Sequence, residues 1–318
     1  MKQKRIFTRA AAVSLAAVVT VSGTGSTVLA ASGSKDPNAS AVREATNAAI
    51  SQYAATQGMV LLENTNDSLP ISQDQGTKIA LYGLGAYATV KGGTGSGDVY
   101  LKDNANITVQ MGFEQAGYTI VNRDFLAERE HEYNIVIDAL ETTRGYAHDE
   151  PLYDEKEITD AASETSTAVY VLTRNSGEGS DRTAEKGDYY LTDHEKANLT
   201  LLGQNFDNVI VVLNTGGIID TNFFHGKGGY GADDEFNRGK IEGLDSLLLM
   251  SQAGMNGGHA LVQVLNGEVN PSGKLTDTWA IDYTDYPSSE TFSTRDGEID
   301  TLATLEEVYT EDIFVNPV

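Results

Sequence analysis

The 318-residue sequence has no cysteine, one tryptophan, six prolines, and only 22 lysines and arginines against 46 acidic residues. Without cysteine there is no disulfide framework, no thiolate nucleophile and no Cys-ligated zinc or iron–sulfur cluster, so stability has to come from a packed core. A formal charge of −24 and an isoelectric point near 4.4 exclude the basic face that nucleic acid or an anionic membrane requires. Neutral or cationic partners remain. The histidines His131, His148, His194, His225 and His259 include no pair at ligand spacing on one helix face, and Asp67, Asp98, Asp233 and Asp234 fit no EF-hand loop. No metal and no other cofactor is expected. Ser176, Ser180 and Ser251 lack the Gly-x-Ser-x-Gly elbow of a hydrolase triad. Hydrophobic residues make up 40% of the chain, enough for one large domain or two modest ones.

Lys2, Lys4, Arg5 and Arg9 precede an Ala/Val-rich run from Ala10 to Val21, and Val28-Leu29-Ala30 puts small residues where a signal peptidase reads. The run is too short for a comfortable membrane span. The pattern predicts a signal peptide over residues 1–30 and an exported chain, extracellular or at the cell surface, free of the membrane after cleavage.

A linker and helix are expected over 31–57, with Val42, Ala45, Ala49 and Tyr53 on one side. Short apolar runs then alternate with helical stretches. The runs are Lys78 to Tyr82, Gly117 to Val121, Ala168 to Leu172, Asn208 to Leu213 and Leu247 to Met250. A helix opens at Thr192-Asp193, another runs from about Gly258 to Leu265, and the Gly-rich stretch from His225 to Gly239 reads as an exposed loop. Continuous apolar strands between helices predict an α/β layered domain with a mostly parallel sheet covered on both faces. Ligands of such sheets bind beyond the carboxyl ends of the strands, so chemistry is sought after Tyr82, Leu172, Leu213 and Met250.

Two of those segments stand out. Lys91-Gly92-Gly93-Thr94-Gly95-Ser96-Gly97-Asp98 has glycines in a loop but fails the Walker pattern, because Lys91 precedes them, and fails the dinucleotide pattern, because no helix begins inside it. It suits a backbone that a neutral polar ligand approaches closely, with Lys91, Thr94, Ser96 and Asp98 as candidate binding residues. Arg174-Asn175-Ser176-Gly177-Glu178-Gly179-Ser180-Asp181-Arg182 places a carboxylate between two glycines at the mouth of the sheet. Glu178 is therefore open to a substrate and suited to general acid/base work, with Arg174, Asp181 and Arg182 as candidate substrate-binding neighbours. The competing reading is a solvated loop in which Glu178, Asp181 and Arg182 pair with one another. Trp279 and the tyrosines suit stacking on sugar rings as well as ordinary packing.

Taken in order, the segments Gly58 to Asn64 with Leu69-Pro70-Ile71, Lys78 to Gly83, Lys91 to Asp98, Ser176 to Arg182, Lys186 to Leu191, Gln252 to Gly258, and Asn270 to Leu275 with Thr278-Trp279 resemble glycoside hydrolase family 3. The likeness is to the α/β-sandwich domain of its β-glucosidase-type members. The resemblance implies a three-layer (α/β)6 sandwich over 58–290 with a mainly parallel six-stranded sheet, and retaining hydrolysis of β-linked glucosides or oligosaccharides. By its Gly-Glu-Gly loop, Glu178 is implied to be the acid/base.

The family's nucleophilic aspartate lies in a separate (β/α)-barrel domain for which this chain has no room. The chain also stops at Asn316-Pro317-Val318 where relatives of Glu311 to Val315 continue, so 291–318 is expected to be a truncated segment of a reversed-order gene. The stretch Gly226 to Asn237 looks like an insertion. Two functions are carried forward: the acid/base half of a glucosidase site, inactive without its barrel, and a non-catalytic carbohydrate-binding or interaction module.

Overall fold

The computed structural model describes residues 37–98, 106–139, 150–176 and 182–289. The expected signal peptide, the segment 291–318, Glu178 and Asp181 lie outside the described residues. The chain divides into two compact units, Met1–Arg43 and Glu44–Val318. Of the first, 37–43 are described and are helical.

The helices are α1 (Pro37–Gly58), α2 (Leu84–Tyr87), α3 (Val109–Gln115), α4 (Arg123–Ala139), α5 (Glu155–Ala162), α6 (Asp193–Asn205), α7 (Asn222–His225) and α8 (Gly257–Leu265). The strands are β1 (Val60–Asn64), β2 (Lys78–Tyr82), β3 (Thr119–Ile120), β4 (Thr167–Arg174), β5 (Asn208–Thr215) and β6 (Ser246–Leu249). They form one sheet in the order β1-β6-β5-β4-β2-β3. The five apolar runs read from the sequence are the five parallel strands. The sixth strand, β1, pairs antiparallel with β6, Val60 opposite Leu249 and Asn64 opposite Ser246.

Side-chain alternation along the strands builds two cores. Ile79, Leu81, Val169, Val171, Ile210, Val212 and Leu248 pack with Phe113 of α3, Leu126 of α4 and Leu261 of α8. Tyr82, Tyr170, Leu172, Val211, Leu213 and Leu247 point the other way, onto Ile158 of α5, Leu199 and Leu202 of α6, and Phe223 of α7. Each fully buried aliphatic residue stabilises this arrangement by about 1.5–3 kcal/mol relative to exposure. The sheet lies between two helical layers.

Local chemistry sets the element ends. Thr192 caps α6 through a capping box: its hydroxyl accepts from the Glu195 N–H at 3.0 Å, and the Glu195 carboxylate accepts from the Thr192 N–H at 2.8 Å. Gly83 has φ +89°, and a Cβ there would overlap the Val171 backbone, so only glycine lets the chain turn straight from β2 into α2. Helices α3 and α8 touch backbone to backbone, because a Cβ on Gly112 would fall on Gly258 and one on Gly258 would fall on Thr108.

The side of α1 that carries Val42, Ala45, Ala49 and Tyr53 is not the side that packs. Val42 is 68% exposed and Tyr53 59% exposed, with Ala45 and Ala49 also outside. The packed side of its second half carries Ala55 against the core, buried Thr56, and Gln52, which donates to Gln263 at 2.8 Å. Alanines fall all round this helix, so its apolar residues single out no direction.

Candidate functional site

The loops leaving the strands at their carboxyl ends are tied together by Asn214, one residue before the end of β5 and fully buried. Its carboxamide oxygen accepts from the Val90 N–H at 2.7 Å, and its NH2 donates to the carbonyls of Val90 at 3.0 Å and Ser251 at 2.8 Å. The Thr94 N–H donates to the Ser176 carbonyl at 3.2 Å, and the Gly254 N–H to the Lys91 carbonyl at 2.9 Å. Segments following β2, β4, β5 and β6 therefore meet at one edge, as expected for an open parallel sheet.

The candidate residues fall into two groups there. Lys91 forms an ion pair with Asp98 at 2.7 Å across the glycine loop, which contains a short 3-10 turn over Gly95–Gly97 that includes Ser96. Thr94 precedes the turn and joins this loop to Ser176. Arg174 is different in kind. Its side chain is only 3% exposed; it pairs with Glu195 through two bonds of 2.6 Å and donates to the carbonyls of Thr173, Asp188 and Tyr190. All its donors are occupied within the protein, so it holds the loop stem and presents no N–H to a ligand.

Arg182 re-enters the described chain on the far side of 177–181. It donates from NH1 to Asp188 Oδ1 at 2.6 Å and from Nε to the Ile218 carbonyl at 3.2 Å. The second Asp188 oxygen accepts from the Thr183 N–H at 2.7 Å and hydroxyl at 2.9 Å. Both arginines flanking the loop thus converge on one residue, Arg174 on the Asp188 carbonyl and Arg182 on its carboxylate. Arg182 NH2 and Gln252 Nε2 are buried donors without partners among the described residues, and Gln252 lies directly over Gly216, where a Cβ would strike it.

Several contributors escaped the sequence reading. Asn214 was visible as a polar residue ending an apolar run, Asp188 and Gln252 lie in segments quoted for the resemblance, and Glu195 stands three residues after Thr192, at the capping-box position of a helix start. Glu150 is another. Fully buried, it accepts from the Tyr153 hydroxyl, from the Tyr170 hydroxyl at 2.7 Å and from the Leu84 N–H that starts α2, and burial pushes its carboxyl up to about 7. Among the described residues no group of three or more His, Asp or Glu side chains is placed to hold a metal ion. His194 contacts the Glu150 carbonyl at 2.8 Å and His259 contacts Gln115 at 2.7 Å. The Gly226 to Asn237 stretch is anchored rather than loose: Arg238 beside it pairs with Asp234 at 2.8 Å and Asp282 at 2.9 Å and stacks 3.8 Å over Tyr230.

Comparison with known proteins agrees with this architecture. The model of the glycosyl hydrolase family 3 C-terminal domain matches residues 59–316. Beta-glucosidase A of Butyrivibrio fibrisolvens is 36% identical over 291 residues, covering 84% of this chain and 31% of that protein. A beta-glucosidase of Ruminococcus albus is 34% identical over 268 residues, covering 81% of this chain and 25% of that protein. Beta-glucosidase 3B from Thermotoga neapolitana, solved with glycerol, superposes with a TM-score of 0.68 at 32% identity, covering 85% of this chain and 35% of that one. The chain thus spans between a quarter and about a third of the length of these relatives. Matched over most of its length by the family model and by relatives more than 30% identical, the chain belongs to glycosyl hydrolase family 3, through the family's C-terminal domain.

Proposed function

We propose that this chain supplies the acid/base half of a retaining β-glucosidase site, with Glu178 as the acid/base and the nucleophile on a (β/α)-barrel. The observation that carries the reading is the charge balance at the strand ends. Lys91 is paired with Asp98, Arg182 with Asp188 and Arg174 with Glu195, so the cations flanking the site are each neutralised locally. What remains for a ligand is uncharged or paired hydrogen-bonding groups, which suits a neutral sugar and disfavours a phosphate. Arg174 and Arg182 bracket Glu178 in sequence, and their shared anchor on Asp188 holds both stems of its loop.

In a retaining mechanism two carboxyl groups about 5–5.5 Å apart divide the work. The Glu178 carboxyl gives its proton to the glycosidic oxygen as the C1–O bond breaks and the barrel carboxylate bonds to C1. The Glu178 carboxylate then takes a proton from water as that water attacks C1 and the barrel carboxylate leaves. Lys91, Thr94, Ser96, Asp98, Asp181 and Arg182 are proposed to line the sugar's approach. Export by a cleaved signal over 1–30 is proposed with it.

The test is hydrolysis of an aryl β-glucoside. The purified chain is expected to leave it intact, a supplied family 3 barrel domain to restore cleavage, and Glu178→Gln to abolish the restored activity. Robust cleavage by the chain alone overturns the reading.

A further inference from the structure

A groove of about 940 Å³ runs between β1, α7 and the segment 275–287. That volume is in the range of small-molecule sites. The only tryptophan in the sequence, Trp279, lines it. Trp279 is half-buried and rests on the core that includes Phe223 and Leu247, so its ring is held in place while part of it borders the groove.

The walls are fixed. Asn222 at the start of α7 donates to the Ile281 carbonyl and, at 2.8 Å, to Asp220, and it accepts from the Gly228 N–H at 2.9 Å. One residue thereby joins the helix, the turn after it and the opposite wall. On this frame stand side chains with unused hydrogen-bonding capacity. His225 Nδ1 meets Glu63 Oε1 at 3.2 Å, which leaves Nε2 of the one and Oε2 of the other without partners among the described residues. Among the described residues Lys227 has no ion pair, and one oxygen of Asp277 accepts from Thr276 at 2.6 Å while the other has no partner.

Charge narrows the occupant. Glu63, Asp277 and Asp285 border the groove and repel an anion, while Lys227 repels a cation. Burial and the neighbouring Lys227 lower the pKa of His225, so it is a neutral donor/acceptor at pH 7. An uncharged ligand rich in hydroxyls, with an apolar face for an indole, fits both the stacking surface and the mixed donors and acceptors.

The geometry points to a second, non-catalytic binding site for a neutral oligosaccharide in this groove, with Trp279 as the stacking platform and Glu63, His225, Lys227 and Asp277 as hydrogen-bonding partners. Its lining includes none of residues 174–182, and binding there does not depend on hydrolysis. It gives the domain a hold on a sugar chain while another part of that chain is cleaved.

Because the chain has one tryptophan, its intrinsic fluorescence reports this groove directly. Titrating the purified chain with cellotetraose, laminaritetraose and maltotetraose is expected to shift the emission saturably with at least one of them, with Kd between about 10 µM and 10 mM. Lys227→Met and Asp277→Asn remove exposed or half-exposed groups, so they should fold normally and each weaken binding about fivefold to tenfold. Glu178→Gln should leave the titration unchanged while abolishing the barrel-restored hydrolysis, which separates failure of this site from failure of the glucosidase reading. No saturable response to any of the three sugars overturns the proposal. So does an emission already shielded from soluble quenchers, which would mean that residues 290–318 cover the groove. A response insensitive to Lys227→Met and Asp277→Asn also overturns it.

Discussion

Arg174, the last residue of β4, and Glu195, in the first turn of α6, face each other through two N–H···O bonds of 2.6 Å, with their side chains only 3% and 8% exposed. A buried pair of this kind adds little over an apolar pair, yet breaking it strands a charge. Arg174→Met is therefore expected to destabilise the domain by about 3–5 kcal/mol. Arg174→Met combined with Glu195→Leu should lose less than the sum of the two single changes, although the capping bond to the Thr192 N–H is also lost. Urea unfolding of the three variants measures this.

Asn214 is the knot at the carboxyl edge. Its three hydrogen bonds to Val90 and Ser251 are each worth about 1 kcal/mol net, so Asn214→Ala should cost about 3 kcal/mol. Asn214→Asp should be worse, because a carboxylate has no donor for the carbonyls of Val90 and Ser251. Denaturant midpoints and amide exchange at Val90 would report both effects.

Glu150 links stability to pH. Its carboxyl is raised from 4.5 to about 7 by burial, so the folded state favours the neutral form. Its contribution is complete below the unfolded value and is lost as pH rises through about 7, by up to about 3 kcal/mol. Stability should therefore fall between pH 5 and pH 8, on top of general repulsion at a net charge of −24. Glu150→Gln should flatten that slope by the Glu150 share, as seen in midpoint against pH for the two proteins.

The crossing of α3 and α8 leaves no room for a methyl group at Gly258, whose Cβ would strike the backbone of Thr108. Gly258→Ala is expected to push the helices apart and lower stability by about 1–3 kcal/mol, despite the better helix propensity of alanine. Thermal unfolding of Gly258→Ala beside an exposed glycine change such as Gly58→Ala, which meets nothing within 4 Å, separates packing from propensity.

The parallel core strands were legible because each is a run buried on both faces, and such runs are apolar without interruption. β1 was not recognised as a strand. Val60 and Leu62 are half-buried, Leu61 is 37% exposed, and the strand ends in Glu63-Asn64, so its pattern is neither continuous nor alternating. The side of α1 that packs was misread because alanine is tolerated on every face. At the site, the glycine loop and the two arginines were visible as motifs, but the roles of the arginines were not. Arg174 and Arg182 have the same chemistry and flank the same loop. Only their surroundings separate one locked onto Glu195 from one whose NH2 has no partner among the described residues.

What the sequence by itself determined is the class of fold, the family, and the absence of thiol chemistry. Those depend on composition, on the spacing of apolar residues and on motif order, all of which are properties of the linear chain. Only the tertiary structure decided which residues share a neighbourhood. Asn214 holding Val90 across 124 positions and Trp279 lining one groove with Glu63 join segments far apart in sequence. The register of the sheet and the crossings of the helices bring them together, and no local pattern encodes that.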